Sequence, residues 1–507
     1  MKKTVFIKNA IILTASSLIL RFLGIIFKVW LASKIGSEGI GLYQLVFSVY
    51  VLAATFATSG ICTAVTRLVA DELALGSKNG TLKILRRCIE LTLAIAFISV
   101  GIVFFGADFI AIVFLEDIRA VSALKILSFS LPFMGISSCL RGYFVARRKA
   151  GPNALSQIFE QLVRILLVFL LVNKFYDKGL AFCCGAVLFG DTVAESLSCL
   201  WLWLTYLLDK KKLNALSGRP RPPYGIFKGI VHIALPISAG KYLNTALRTI
   251  ENILVPKNLA KYKLSGKNAL SQFGMIKGMA LPVLFFPSTL LNSLSTLLIP
   301  EISEAAAKNQ RGIVKAASEN ILRLTALMSY IFAALFFVAG KELGLLVYKS
   351  EDVGYLLQAL SPIVPLMYLD SVSDGILKGL DQQIFSFRTS VCDSVLRIIL
   401  ILIFLPLSGL KGFIGIMYVS NLLTCFLNVG RLMKVSGAKM KILSEILLPL
   451  SFAVCISFLT TSAIRDFGTL SNLVYIILLC VICIPVYILF LFLVGSVTRD
   501  DISNFIH

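Results

Sequence analysis

Charge is scarce in this chain. Of its 507 residues only 15% are Asp, Glu, Lys or Arg, against roughly 25% in an average soluble domain, and so few charges cannot cover a water-facing surface. A soluble fold is excluded. Histidine is scarcer, with two residues, His232 and His507, so the lone Cys-x-x-Cys pair of Cys480 and Cys483 lacks the partners of a zinc site. The 11 cysteines are odd in number and fall mostly inside apolar runs, without framework spacing. The sequence contains no phosphate-binding glycine loop, no His-Glu-x-x-His and no nucleophile elbow, and its loops are too short for a separate catalytic domain. The expectation is a protein that is not an enzyme, and no cofactor is called for.

Apolar residues are abundant instead. They make up 57% of the chain, with a mean hydropathy of +0.87, so apolar segments run throughout rather than forming one anchor. Runs of the about 20 residues that cross a hydrocarbon core fall near 9–33, 41–66, 88–115, 121–146, 153–173, 179–208, 229–255, 269–299, 318–340, 354–377, 386–408, 412–430, 442–464 and 472–496. This predicts an all-α polytopic membrane protein with about 14 transmembrane helices. Barrel strands would alternate apolar and polar residues, whereas the stretch from Leu473 to Val494 is apolar on every face. Pro282 and Pro287 predict a kink or break in the eighth run. Lys2, Lys3 and Lys8 before Ala10 to Leu20 resemble a signal peptide, but Arg21 interrupts the run, which resumes to Trp30. A retained first helix is expected.

The net charge of +22 reads first as topology and not as nucleic-acid binding. With both termini in the cytoplasm, inner loops collect Arg86 and Arg87, then Arg147, Arg148 and Lys149, then Lys210, Lys211, Lys212, Arg219 and Arg221, then Arg431, Lys434, Lys439 and Lys441. One outer loop breaks the pattern, with Lys257, Lys261, Lys263 and Lys267.

An internal repeat divides the chain. LSFSLPFM (Leu127 to Met134) matches LSPIVPLM (Leu360 to Met367), Leu140-Arg141-Gly142 matches Leu377-Lys378-Gly379, and EQLVRIL (Glu160 to Leu166) matches DSVLRII (Asp393 to Ile399). The outer two blocks share an offset of about 233 residues. Two six-helix bundles related by a parallel repeat are expected at 1–208 and 226–435. A basic cytoplasmic linker at 209–225 joins them, and two additional helices and a tail fill 436–507.

Ionisable residues inside spans cost about 2.5 to 3.5 kcal/mol on insertion scales, so each is a candidate for function. Arg21 and Lys28 lie seven apart, on one helix face. Lys241 and Arg248 repeat that spacing in the first helix of the second half, with Asn244 and Glu251 nearby, and Lys277 adds a cation in the next. If the halves face each other across a cleft, these five would line a cationic cavity suited to an anionic ligand, with Arg presenting its fork to phosphate oxygens. The alternative is snorkelling to lipid headgroups. Glu160 with Arg164 and Asp393 with Arg397 are i,i+4 pairs in repeat-equivalent places, read as structural ion pairs or as coupling groups. Asp191 with Glu195, and Asp370 with Asp374, could carry protons or sodium, or pair with cations on neighbouring helices.

The stretch SSLILRFLGIIFKVWLASKIGSEGIGLYQLVFSVY (Ser16 to Tyr50), followed by ATSGICTAVTRLVADE (Ala57 to Glu72), resembles the opening of the stage V sporulation protein B-like polysaccharide exporters. These belong to the multidrug/oligosaccharidyl-lipid/polysaccharide flippase superfamily, with the lipid II flippase and the MATE antiporters. The resemblance covers essentially the whole chain. It implies two six-helix bundles around a central cavity, two extra helices that serve the lipid tail, and a role for Arg21, which is followed here by Phe22-Leu23-Gly24. Leu20 stands where the family has a serine, Lys28 is the best match to a second family cation, and Gly60-Ile61-Cys62 replaces Gly-Leu-Pro.

The expected function is thus flipping of an undecaprenyl-diphosphate-linked peptidoglycan or polysaccharide precursor across the cytoplasmic membrane, in spore cortex synthesis. Sodium or proton coupling is open. Expected partners are the polyprenyl-diphosphate-linked glycan, membrane lipid and cell-wall synthesis enzymes, and no nucleic acid. A MATE-type antiporter would need a carboxylate-lined cavity, against the cationic excess in the opening helices of both halves. A membrane glycan polymerase would need clustered carboxylates at a membrane surface, and a noncatalytic sporulation scaffold would tolerate loss of the buried cations.

Overall fold

The computed structural model describes residues 2–212, 218, 225–262, 266–466 and 471–496. Among them there is no strand. The helices are α1 (Lys2–Thr58), α2 (Ile61–Ala74), α3 (Lys78–Phe105), α4 (Ala107–Phe109), α5 (Ala120–Ser128), α6 (Leu131–Ala146), α7 (Ala150–Phe175), α8 (Leu180–Lys212) and α9 (Ile226–Lys261). They continue as α10 (Gly266–Gly274), α11 (Leu281–Phe285), α12 (Ser288–Ala307), α13 (Arg311–Tyr348), α14 (Glu351–Leu360), α15 (Val364–Gly379), α16 (Gln383–Ser436), α17 (Leu448–Asp466) and α18 (Asn472–Leu493). The chain forms two compact units, Met1–Lys257 and Asn258–His507. The expected linker, 209–225, lies largely outside the described residues; Asp209 to Lys212 end α8.

Two helices are too long to be single spans. At 1.5 Å per residue the 57 residues of α1 would run about 85 Å straight, nearly three times the about 30 Å of a hydrocarbon core. The backbone breaks at Gly36, with φ 68° and ψ −179°, a region that side-chain-bearing residues avoid. The 54-residue α16 breaks likewise at Gly409, with φ 55° and ψ −131°. The apolar runs 9–33 and 386–408 end just before these glycines, and the next runs begin just after.

Length and apolarity pick out nine helical stretches able to cross a membrane among the described residues, or ten when α5 and α6, bent by 41°, count as one. The expected number was 14. Part of the difference is arithmetic, because each glycine break joins two expected runs into one stretch. The rest is sequence: α9 spreads His232, Lys241, Asn244, Arg248 and Glu251 along its length. The eighth run is split by a π-helical turn, Met275–Ala280, and by the bend at Phe286 and Pro287. The chain is nonetheless a multi-pass, all-helical membrane protein.

Between lipid-bathed helices the hydrophobic effect drives little, so close approach and hydrogen bonds hold the bundle. In the first unit Val65, Leu85, Cys88, Leu140, Tyr143 and Phe144 are buried together where α2, α3 and α6 meet. A Cβ on Gly142 would lie 2.7 Å from the Cys62 carbonyl, which lets α6 lie directly on α2. Helix α9 docks along the later part of α1 through a polar stripe. Ser238 Oγ donates to the Ser59 carbonyl (2.8 Å), Tyr242 to that of Phe56 (3.2 Å) and Thr249 to that of Ser48 (3.1 Å), while Asn252 Nδ2 donates to Ser48 Oγ (2.9 Å).

In the second unit, Gly344 of α13 would place a Cβ 2.3 Å from the amide nitrogen of Gly354 in α14. Tyr368 Oη donates to the Leu284 carbonyl at 2.5 Å. Of the last two helices, α18 is fixed to α13 by Tyr487 Oη, which donates to the Leu327 carbonyl at 3.1 Å, and α17 stacks on α18 through Phe452 and Phe490, with ring centroids 3.7 Å apart.

Candidate functional site

Arg21 and Lys28 lie on the part of α1 before the Gly36 break, Arg21 exposed and Lys28 half-buried. The neighbouring face is packed: Phe27 and Leu31 are buried, and Trp30 meets Phe169 of α7 with ring centroids 5.3 Å apart. On α9, Lys241 and Arg248 are both exposed. They sit roughly 75° around the helix from the stripe of Ser238, Tyr242, Thr249 and Asn252 that docks on α1. Among the described residues none of these four cations makes a hydrogen bond or ion pair. All four belong to the first unit; Lys277 belongs to the second, half-buried in the Met275–Ala280 turn.

The half-buried arginines Arg141, Arg164 and Arg397 are matched. Arg164 of α7 reaches Glu160 at 2.8 Å one turn back, Gln161 Oε1 at 2.9 Å, and Asp191 of α8 at 2.7 Å. Arg141 of α6 takes the second oxygen of Glu160 at 3.1 Å. Three helices are thereby joined through two arginines and two carboxylates. Glu195, one turn beyond Asp191, is buried, and among the described residues its Oε1 accepts no hydrogen bond.

In the second unit Arg397 meets Asp393 at 3.1 Å, and Ser420 bridges them, accepting from Arg397 Nε and donating to Asp393. Asp370 accepts from Asn428 at 2.7 Å, and Lys378 pairs with Asp374. The i,i+4 spacing thus marks real ion pairs in both units, and neighbours absent from that pattern complete them. Among the described residues no group of three or more His, Cys, Asp or Glu is placed to hold a metal ion.

Two further clusters escaped the sequence reading. Asp209, buried at the end of α8, accepts from Tyr143 Oη at 2.8 Å and Arg147 Nε at 3.1 Å, and pairs with Lys149. The sequence carries a signal for it: Asp209 stands directly before the basic run from Lys210, and Arg147 and Lys149 are basic residues that a topology reading places in a loop. On the other cluster, Arg119 binds Asp117 at 2.6 Å and Glu38 at 2.8 Å. Hydrogen bonds to Asp117 hold the Arg119 guanidinium above its ordinary pKa, against the opposing effect of burial and with Glu38 adding to them. Lys257 joins the same end through Glu116, 2.9 Å away.

Stage V sporulation protein B of Bacillus subtilis (strain 168) is 28% identical over 475 residues, covering 92% of this chain and 90% of that protein. Lipid II flippase MurJ of the same organism is 23% identical over 450 residues, covering 84% and 82%. The fold is that of a solved lipid II flippase MurJ in an inward closed conformation, with a TM-score of 0.73 at 15% identity over 94% of this chain and 98% of that one. Residues 6–259 match the family described as polysaccharide biosynthesis protein. With half of its length covered by that match, the chain belongs to the polysaccharide biosynthesis protein family.

Proposed function

We propose that the protein flips an undecaprenyl-diphosphate-linked peptidoglycan or polysaccharide precursor across the cytoplasmic membrane, in spore cortex synthesis, with both termini in the cytoplasm. The observation that carries this reading is the contrast between two sets of cations. Arg141, Arg164 and Arg397 are held by carboxylates, whereas Arg21, Lys28, Lys241 and Arg248 are left without partners among the described residues. A cation kept unpaired on a membrane helix is costly unless a ligand repays it. Arg21 and Arg248 supply the forks for phosphate oxygens, and Lys28 and Lys241 supply compact charges on the same helices. Lys277 is assigned the same role on its own unit.

The physical task is to carry a diphosphate and sugars through hydrocarbon while the polyprenyl chain stays in lipid. Unpaired cations replace the water around the diphosphate. The membrane potential, about 2.3 kcal/mol per charge per 100 mV, adds to outward movement of an anion. The names of the two B. subtilis relatives support the sporulation role and the lipid-linked substrate respectively.

The test is flipping and binding of labelled lipid II by Arg21→Ala, Arg248→Ala and Lys211→Ala proteins reconstituted at matched levels. Loss of a charged hydrogen bond of about 1.5 to 3 kcal/mol predicts roughly tenfold to hundredfold weaker binding for the two arginine variants. Lys211→Ala should behave as the parent. Arginine variants that flip at the parental rate would leave snorkelling as the role of these side chains.

A further inference from the structure

A crevice of about 550 Å³ opens between the first half of α3 and the last turns of α8. Ile89, Trp203, Tyr206 and Leu207 are among its lining, Tyr206 being buried against Tyr143 with ring centroids 5.3 Å apart. Lys83, Arg86 and Lys210 stand at its edge. Arg86 is shared with Glu90, 2.9 Å away, which also binds Arg87. Lys83 and Lys210 are exposed and make no ion pair among the described residues. Three cations against one carboxylate leave two positive charges over an apolar slot.

That combination excludes most occupants. A soluble anion has no use for the apolar walls, and a purely apolar chain has no use for the charged edge. The charges lie near the start of α3 and the end of α8, where a spanning helix meets the headgroup layer, and Trp203 is a residue type that favours that level. Basic slots between transmembrane helices at this depth fit anionic lipid heads. At about 30 Å³ per water-sized group the crevice admits roughly eighteen such groups, enough for a phosphoglycerol head and its first methylenes, with the remaining chain in the bilayer. A diphosphate would bring more negative charge against Glu90.

We propose that this crevice is a site for one anionic glycerophospholipid, its phosphate held by Lys83, Arg86 and Lys210 and its chain laid against Ile89, Trp203 and Leu207. The site is separate from Arg21, Lys28, Lys241 and Arg248 and does not depend on the transport reading.

The test uses the full chain with Trp203 as its one tryptophan (Trp30→Phe, Trp201→Phe), in phosphatidylcholine nanodiscs titrated with dibrominated phosphatidylglycerol or dibrominated phosphatidylcholine. Quenching of Trp203 should reach half-maximum at an about tenfold or more lower mole fraction of the anionic lipid, as two net charges near the surface imply. Lys83→Gln with Lys210→Gln should remove that preference and leave phosphatidylcholine quenching unchanged. Equal quenching by the two lipids in the parent overturns the proposal without recourse to any variant. So does a preference that survives the double substitution. Relief of quenching by glycerol phosphate in solution would reassign the edge to free phosphates, and relief by a short polyprenyl diphosphate would reassign the crevice to the transported lipid; either result also overturns it.

Discussion

Nε of Arg164 lies 2.7 Å from Oδ1 of Asp191, joining α7 to α8 in the interior of the first unit. Breaking one member of a buried ion pair costs several kcal/mol because the other charge is left without compensation. Asp191→Leu should lower stability by about 3 kcal/mol, seen as a fall of several degrees in thermal unfolding of the purified protein. Arg164→Met added to it should recover part of the loss. An Asp191→Leu protein as stable as the parent would show that Glu160 alone satisfies the arginine.

Arg248→Lys keeps the charge and loses the bidentate fork. Lipid II binding should fall less than in Arg248→Ala, and the two variants should separate by about tenfold. If Lys serves as poorly as Ala, the site reads shape rather than charge; if it serves as well as Arg, the fork contributes nothing.

Gly409 is held at φ 55°, and a Cβ there would lie 2.3 Å from the Tyr262 ring. Gly409→Ala should cost about 1 to 3 kcal/mol for the backbone alone, plus the displacement of the ring. Tyr262→Ala in the same chain should return the steric part only. Thermal unfolding of the single and double variants separates the two, and full rescue by Tyr262→Ala would mean that the backbone carries no strain.

Topology is tested by cysteine labelling on a Cys-depleted background, because Cys392 and Cys455 are exposed in the native chain. Arg86→Cys should react with an impermeant reagent from the cytoplasm only and Lys267→Cys from outside only. The neighbouring Lys263 lies outside the described residues. Labelling of Lys267→Cys from the cytoplasm alone would invert the assignment.

The helices were legible because apolar runs of spanning length leave a membrane chain few alternatives. Their continuity was not: periodicity cannot tell a loop at 34–40 from a helix interrupted at the single residue Gly36, since both place a small polar stretch between apolar runs. Glu160 with Arg164 and Asp393 with Arg397 were readable from helical spacing, which is local geometry. The links from Arg141 to Glu160 and from Arg164 to Asp191 were not, because they depend on which faces of α6, α7 and α8 meet. Lys378 illustrates the limit of repeat reasoning. It occupies the place of Arg141 in the sequence repeat, yet pairs with Asp374 on its own helix, while Arg141 reaches across to α7.

The break at Gly409 bears on how the protein is made. The two runs it separates, 386–408 and 412–430, share a connection of a few residues whose one charge is Lys411. So short a link gives the insertion machinery no segment to hold on one side while the first span settles. A pair so linked is expected to enter the bilayer as a hairpin, with Arg431, Lys434, Lys439 and Lys441 behind it adding to Lys378 and Arg388 before it in setting its orientation. Neutralising the four behind it should therefore loosen the placement of a hairpin that was synthesised before them.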